Sequence, residues 1–93
     1  MPYISGPRRE SFAVARNTLK STRLDTIGEL VYMFCWMADH YMSQHIMNFE
    51  NLNAVMGAFE SAKAEFYRKM IADYEDGKEA ANGPVWKQWK EDE

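Results

Sequence analysis

Eight consecutive residues, 31–38, are all apolar or aromatic in a chain of only 93 residues. Residues 26–29 precede this run and match the S/T-x-x-E capping box, which begins a helix by satisfying two backbone N–H groups. The run is therefore predicted to lie on a helix that has no polar face. Such a helix must be covered on all sides, and two neighbouring helices in so short a chain cannot enclose it.

A subunit interface would cover this helix. We predict a homo-oligomer whose interface includes Met33, Trp36 and Met37 on this helix and Ile71 further along the chain. Contiguous exposed apolar patches of this size are unusual on monomers. Two alternatives stay open: a monomer with an exposed aromatic patch, and a strand in place of the helix.

Two further helices are predicted on either side of this one. Residues 8–22 carry a thin apolar stripe at helical spacing, formed by Phe12, Ala15 and Leu19. Residues 52–76 carry a long stripe at three- and four-residue spacing, formed by Leu52, Val55, Met56, Phe59, Ala62, Phe66, Met70 and Tyr74. Asn48 or Asn51 is expected to cap this long helix.

The ends of the chain contain the residues that stop helices. The segment through Pro7 is predicted to be extended. Gly77 is a candidate helix end, and residues 82–84 are a firm stop. Val85, Trp86 and Trp89 follow as a short aromatic tail. We therefore predict one all-α domain over residues 1–93, a small bundle of three helices with an extended N-terminal arm and a short C-terminal aromatic tail.

The composition excludes several classes of protein. Cys35 is the one cysteine, so an internal disulfide is impossible and a reducing compartment is favoured. No apolar stretch approaches the roughly 18 residues needed to cross a bilayer, so no membrane association is expected. The N-terminus has no apolar core of a signal peptide. A cytoplasmic protein is expected.

Charge is distributed unevenly along the chain. Residues 1–23 carry Arg8, Arg9, Arg16, Lys20 and Arg23 against Glu10 alone, whereas the rest of the chain is net acidic. The two blocks are expected to pair within or between subunits, or the basic block meets an anionic ligand. Duplex nucleic acid is not an expected partner, because non-specific binding needs many phosphate contacts on one basic face.

Six residues are predicted to form a pocket for a flat anion such as a nucleotide: Tyr3, Arg8, Arg9, Tyr67, Arg68 and Lys69. Arginine binds phosphate with two parallel hydrogen bonds and stacks on aromatic rings, and tyrosine supplies such a ring. This grouping requires the N-terminal arm to pack along the long helix. The alternative is that these charges serve only in surface pairs, such as Glu65 with Lys69 at i,i+4.

Acidic and histidine clusters give weaker signals for chemistry. Asp73, Asp76 and Glu79 have the three-residue spacing that all-helical nucleotide pyrophosphohydrolases use for magnesium, but the second acidic pair expected on the preceding helix is missing. The five-residue spacing of His40 and His45 is poor for a shared metal. Cys35 is interpreted as a small core residue. No catalytic residue, metal or cofactor is predicted.

Several short motifs recur in a known order along the chain. They are Met-Pro-Tyr-Ile at residues 1–4, Gly-Glu-Leu at 28–30 with Tyr32, Glu-Phe-Tyr-Arg-Lys at 65–69, Tyr-Glu-Asp-Gly-Lys at 74–78 and Asn-Gly-Pro-Val-Trp at 82–86. This combination resembles a family of short helical proteins of phages and bacteria that has no established activity. Asp73 and Pro84 depart from its pattern, where proline and aspartate are expected.

The resemblance implies a phage or prophage origin and an accessory role in an infected cell, such as counter-defence. The predicted function is a non-enzymatic homo-oligomer in the host cytoplasm that binds or sequesters a small anionic, nucleotide-like ligand. A first alternative is an inhibitor that docks on a host protein. A second alternative is a magnesium-dependent all-α nucleotide pyrophosphohydrolase.

Overall fold

The chain is described from residue 2 to residue 85 in a computed structural model, and this part contains helices and no strand. The helices are α1 (Gly6–Glu10), α2 (Ala13–Lys20), α3 (Ile27–Ser43), α4 (Phe49–Phe66) and α5 (Ala72–Asn82). A π-helical turn (Tyr67–Ile71) joins α4 to α5 without a break. The all-α prediction is confirmed. Trp86 and Trp89 of the predicted aromatic tail lie outside the described residues.

The first predicted helix is divided in two. With α4, the π turn and α5 counted as one continuous helix, the described chain has four helical segments instead of three. Phe12 lies between α1 and α2 with φ −100° and ψ 3°, outside the α-helical region. The Arg16 side chain donates to the carbonyl oxygen of Arg9 at 3.0 Å and so satisfies the end of α1. The N-terminal segment is extended only before Gly6, because Ser5 caps α1 and Pro7 fits the first helical turn.

The start of α3 is the predicted capping box. The Glu29 backbone N–H donates to Thr26 Oγ1 at 3.1 Å, and Glu29 Oε1 accepts from the backbone N–H groups of Asp25 and Thr26 at 2.6 and 2.9 Å. These backbone bonds, with that from Asp25 the stronger, hold the pKa of Glu29 below its ordinary value of 4.5. The boundary of α3 therefore follows directly from the sequence.

The long helix starts earlier and ends later than predicted. Asn48 is the cap, since its Oδ1 accepts from the Asn51 backbone N–H at 2.8 Å, and α4 consequently begins at Phe49. Gly77 lies inside α5 and does not end it. The helix ends at the predicted stop, where Gly83 has a φ of +93° that favours glycine.

Contacts divide the chain into two units, Met1–Ala58 and Phe59–Glu93, with the boundary inside α4. The first unit contains α1, α2 and α3 with the start of α4. The second contains the rest of α4, the π turn and α5. Among the described residues no side chain is buried in either unit. The bundle and the single domain of the sequence analysis stay predictions.

Across residues 2–85, every helix is too short or too polar to span a bilayer.

Replacing Thr26 with alanine is expected to lower the free energy of unfolding by about 1 kcal/mol, because the first turn of α3 loses its side-chain cap. Urea denaturation followed by circular dichroism measures this change. Thr22→Ala is the matched control, since Thr22 is also exposed and its hydroxyl makes no hydrogen bond within residues 2–85. Equal effects of the two changes would contradict the role of Thr26.

Candidate functional site

The most extensive feature of the surface is its uncovered apolar side chains. Of the predicted interface residues, Met33 is half-buried, while Trp36, Met37 and Ile71 are 50%, 57% and 36% exposed. Many other large apolar side chains of α3 and α4 are also exposed, among them Val31, Tyr32, Phe34, Leu52, Met56 and Phe66. Contiguous exposed apolar patches on this scale are unusual on monomeric proteins.

One narrow face of α3 combines apolar and titratable side chains. Glu29, Met33, Trp36 and His40 are spaced by four, three and four residues, which places them within an arc of about 60° on a helix with 3.6 residues per turn. The His40 ring stacks on the Trp36 ring, with centroids 5.2 Å apart and planes 13° from parallel. We call these four residues the α3 seam.

His45 makes a second aromatic stack just beyond the end of α3. Its ring lies 4.0 Å from the ring of Tyr41, with an angle of 22° between the planes. The two histidines thus stack on different aromatic side chains.

Tyr3, Arg8 and Arg9 lie in the first unit, before and within α1. The Arg8 guanidinium lies over the Phe12 ring, 5.0 Å from its centroid. Within residues 2–85, neither Arg8 nor Arg9 forms an ion pair; the basic residue of the first unit that does so is Arg23, which binds Asp25 at 2.9 Å. The basic block of the sequence therefore keeps most of its charge available to a ligand or to another chain.

The other three predicted ligand residues, Tyr67, Arg68 and Lys69, lie on the π turn of the second unit. The Arg68 guanidinium donates twice to the Glu65 carboxylate, at 2.8 Å from Nη2 and 3.3 Å from Nε. The Tyr67 hydroxyl donates to Glu75 Oε2 at 3.0 Å. Both polar groups already bind a carboxylate of their own helix, as the surface-pair alternative expects of Arg68.

The π turn changes which residues share a face of the long helix. The Ala72 backbone N–H donates to the Tyr67 carbonyl oxygen five residues earlier, so this turn holds one residue more than an α-helical turn. Residues eight apart, such as Tyr67 and Glu75, therefore lie on one face across it. No spacing rule for α-helices signals this pair, and the sequence analysis missed it.

The bond to Glu75 also changes the acidity of Tyr67. The hydrogen bond to the carboxylate and then the negative charge of that group raise the pKa of Tyr67 above its ordinary value of 10.0. The phenol is therefore held protonated as a hydrogen-bond donor.

Acidic residues do not gather into a metal site in the described part of the chain. Asp73, Asp76 and Glu79 lie along α5, and residues 2–85 contain no group of three or more histidine, cysteine, aspartate or glutamate side chains close enough to hold a metal ion. Cys35 is exposed instead of buried in a core, because residues 2–85 enclose no core around α3.

These helices define a small all-α protein with an uncovered apolar surface. The family model for the domain of unknown function DUF6899 matches residues 1–85, so the chain belongs to that family. No curated protein and no solved structure matches it. The resemblance to a family without an established activity agrees with this result.

Glu75→Gln is expected to lower the pKa of Tyr67 toward 10.0, because the amide carries no negative charge. The raised pKa means that this bond stabilises the protein fully below pH 10 and is lost as the pH rises through the pKa of Tyr67. Spectrophotometric titration of the five tyrosines measures the change, and Tyr67→Phe identifies the component that belongs to Tyr67. Glu79→Gln is the control, and an unchanged curve for Glu75→Gln would contradict the assignment.

Proposed function

We propose that this protein is a non-enzymatic binding protein that covers its apolar helix faces by forming a homo-oligomer and that binds a small anionic, nucleotide-like ligand. One observation carries the proposal: no side chain of residues 2–85 is buried, although the helices carry many large apolar residues. Burial of apolar surface is the main favourable term in folding. Copies of the same chain are the simplest source of the missing contacts.

The helix lengths support the same proposal. Helices shorter than about 12–15 residues are marginal in water without packing partners, and α1 and α2 have 5 and 8 residues. The bundle predicted from the sequence is accordingly proposed to form when helices of several copies pack together. Met33, Trp36, Met37 and Ile71 are proposed as interface residues.

Light scattering coupled to size exclusion, at micromolar concentration, is expected to give a mass of two or more chains of 10.9 kDa each. The physical reason is that association removes the exposed apolar side chains from water. A mass of one chain over the whole concentration range would contradict the homo-oligomer.

The anionic ligand is proposed to bind mainly through Arg8 and Arg9. Neither side chain is neutralised by an acidic partner within residues 2–85. Tyr3 precedes them in the same unit and offers a flat ring for stacking. The proposal keeps a second group of ligand residues on the other unit, Tyr67, Arg68 and Lys69. In this group Arg68 already binds Glu65, and Tyr67 already binds Glu75.

Arg9→Ala is expected to weaken binding of the anion by about 1.5–3 kcal/mol, the range for a hydrogen bond to a charged group. Calorimetric titration with a panel of linear and cyclic nucleotides measures it. Arg23→Ala is the matched control, because Arg23 is also an exposed arginine of the basic block but binds Asp25. Heat from none of the nucleotides, with a folded protein confirmed by circular dichroism, would contradict this part of the proposal.

The exposed apolar faces also favour a second candidate, an inhibitor that docks on a host protein. In that case the purified chain is monomeric and a single host protein co-purifies with it in stoichiometric amount.

The pyrophosphohydrolase alternative requires magnesium-dependent release of pyrophosphate from a nucleoside triphosphate. A phage origin, an accessory counter-defence role and action in the bacterial cytoplasm belong to the proposal through the resemblance alone.

A further inference from the structure

We infer that α3 pairs with α3 of a second copy in antiparallel orientation, along the seam of Glu29, Met33, Trp36 and His40. In this pair, Glu29 of each copy lies opposite the partner's His40. The inference rests on the proposed homo-oligomer and specifies which surface of the chain forms its contact and in which direction the partner runs.

The spacing of the seam is that of paired helices. Intervals of four, three and four residues repeat the pattern by which the core positions of a coiled coil stay on one side of a helix. Met33 and Trp36 occupy the centre of the seam, and the Trp36 side chain is 50% exposed. A large exposed aromatic side chain at the centre of a contact is typical of residues that contribute most to binding.

The order of residue types along the seam determines the direction of the partner. It reads acidic, apolar, apolar and basic, so it becomes complementary to itself when one copy is reversed. A two-fold axis between positions 34 and 35 then places Met33 opposite the partner's Trp36 and Glu29 opposite the partner's His40. A two-fold contact of this kind requires that residue i meets residue j and that j meets i.

A parallel pair would bring like groups together. Glu29 would lie beside the partner's Glu29, and His40 beside the partner's His40, which is unfavourable when the groups are charged. The antiparallel pair also places the positive N-terminal end of each helix beside the negative C-terminal end of the other. The side-chain charges and the helix dipoles therefore both favour the antiparallel direction.

The local contacts leave the two titratable groups of the seam ready for this role. Both backbone hydrogen bonds to the Glu29 carboxylate fall on Oε1, so Oε2 keeps its capacity to accept a hydrogen bond. The stack on Trp36 holds the His40 ring by its face and leaves its nitrogen atoms, which lie at the ring edge, open to a partner. Both side chains are therefore oriented before association.

The second copy is preferred to a different partner because the charged groups of α3 are complementary to those of a reversed α3. The helix carries Glu29 and Asp39 and no lysine or arginine. In a pair of α3 helices, the basic group opposite Glu29 can therefore only be the histidine. The reversed copy supplies His40 at the matching position, without any element that the chain lacks.

Sedimentation equilibrium at pH 6 tests the contact. His40→Glu places a negative charge opposite Glu29, and Trp36→Ala removes the central ring; each is expected to raise the dissociation constant by about tenfold or more. His40→Lys is expected to preserve association, since it restores a positive charge. His45→Glu is the matched control, because His45 stacks on Tyr41 outside the seam and its replacement is expected to leave the dissociation constant unchanged.

Spin labels test the direction. In a Cys35→Ala background, a label at Ser43→Cys is expected to lie about 25 Å along the helix axis from the partner's label in the antiparallel pair, at about 1.5 Å per residue. In a parallel pair the two labels lie about 10 Å apart, the distance between helix axes. Pulsed electron paramagnetic resonance distinguishes these distances.

The outcomes separate the inference from the proposed function. A monomer under all conditions overturns both. An oligomer that tolerates His40→Glu and Trp36→Ala overturns the seam and leaves the homo-oligomer in place. An oligomer that needs the seam but gives the short label distance overturns the antiparallel direction.

Discussion

The structure of this chain depends on how the apolar side chains of its helices are covered. Across residues 2–85 none of them is enclosed by the chain itself, and the local devices that begin and end the helices contribute only about 1 kcal/mol each. Ordering a residue costs a comparable amount of conformational entropy. Caps therefore define where helices start, whereas the free energy that keeps them folded is proposed to come from contacts between copies.

The shortage of contacts within one chain bears on both parts of the proposed function, the homo-oligomer and the anionic ligand. Of the basic residues in the N-terminal block, Arg23 is the one that forms an ion pair within residues 2–85, with Asp25. Charges left without partners on helices without a core are available to other molecules. The proposed oligomer, joined through α3, would cover the aromatic surface and leave Arg8 and Arg9 to bind an anion.

The sequence predicted the features that depend on neighbouring residues. The capping box at Thr26 and Glu29, the cap at Asn48 (one of two candidates) and the stop at Gly83 each involve residues within a few positions, so their residue types reveal them. The break at Phe12 and the π turn at residues 67–71 were not predicted. Neither region contains a glycine or a proline that would signal a break, and periodicity alone extends a helix through them.

The features of the candidate site also divide into those that the sequence predicted and those that it did not. The sequence by itself determined that the chain is helical and where α3 begins, because these follow from residue types and spacing. Only the tertiary structure decided that Cys35 is exposed, that Arg68 binds Glu65 and that Tyr67 binds Glu75 across an extra residue in the turn. The physical reason is that such contacts depend on side-chain positions in space, which one added residue in a helical turn rotates by about 100°.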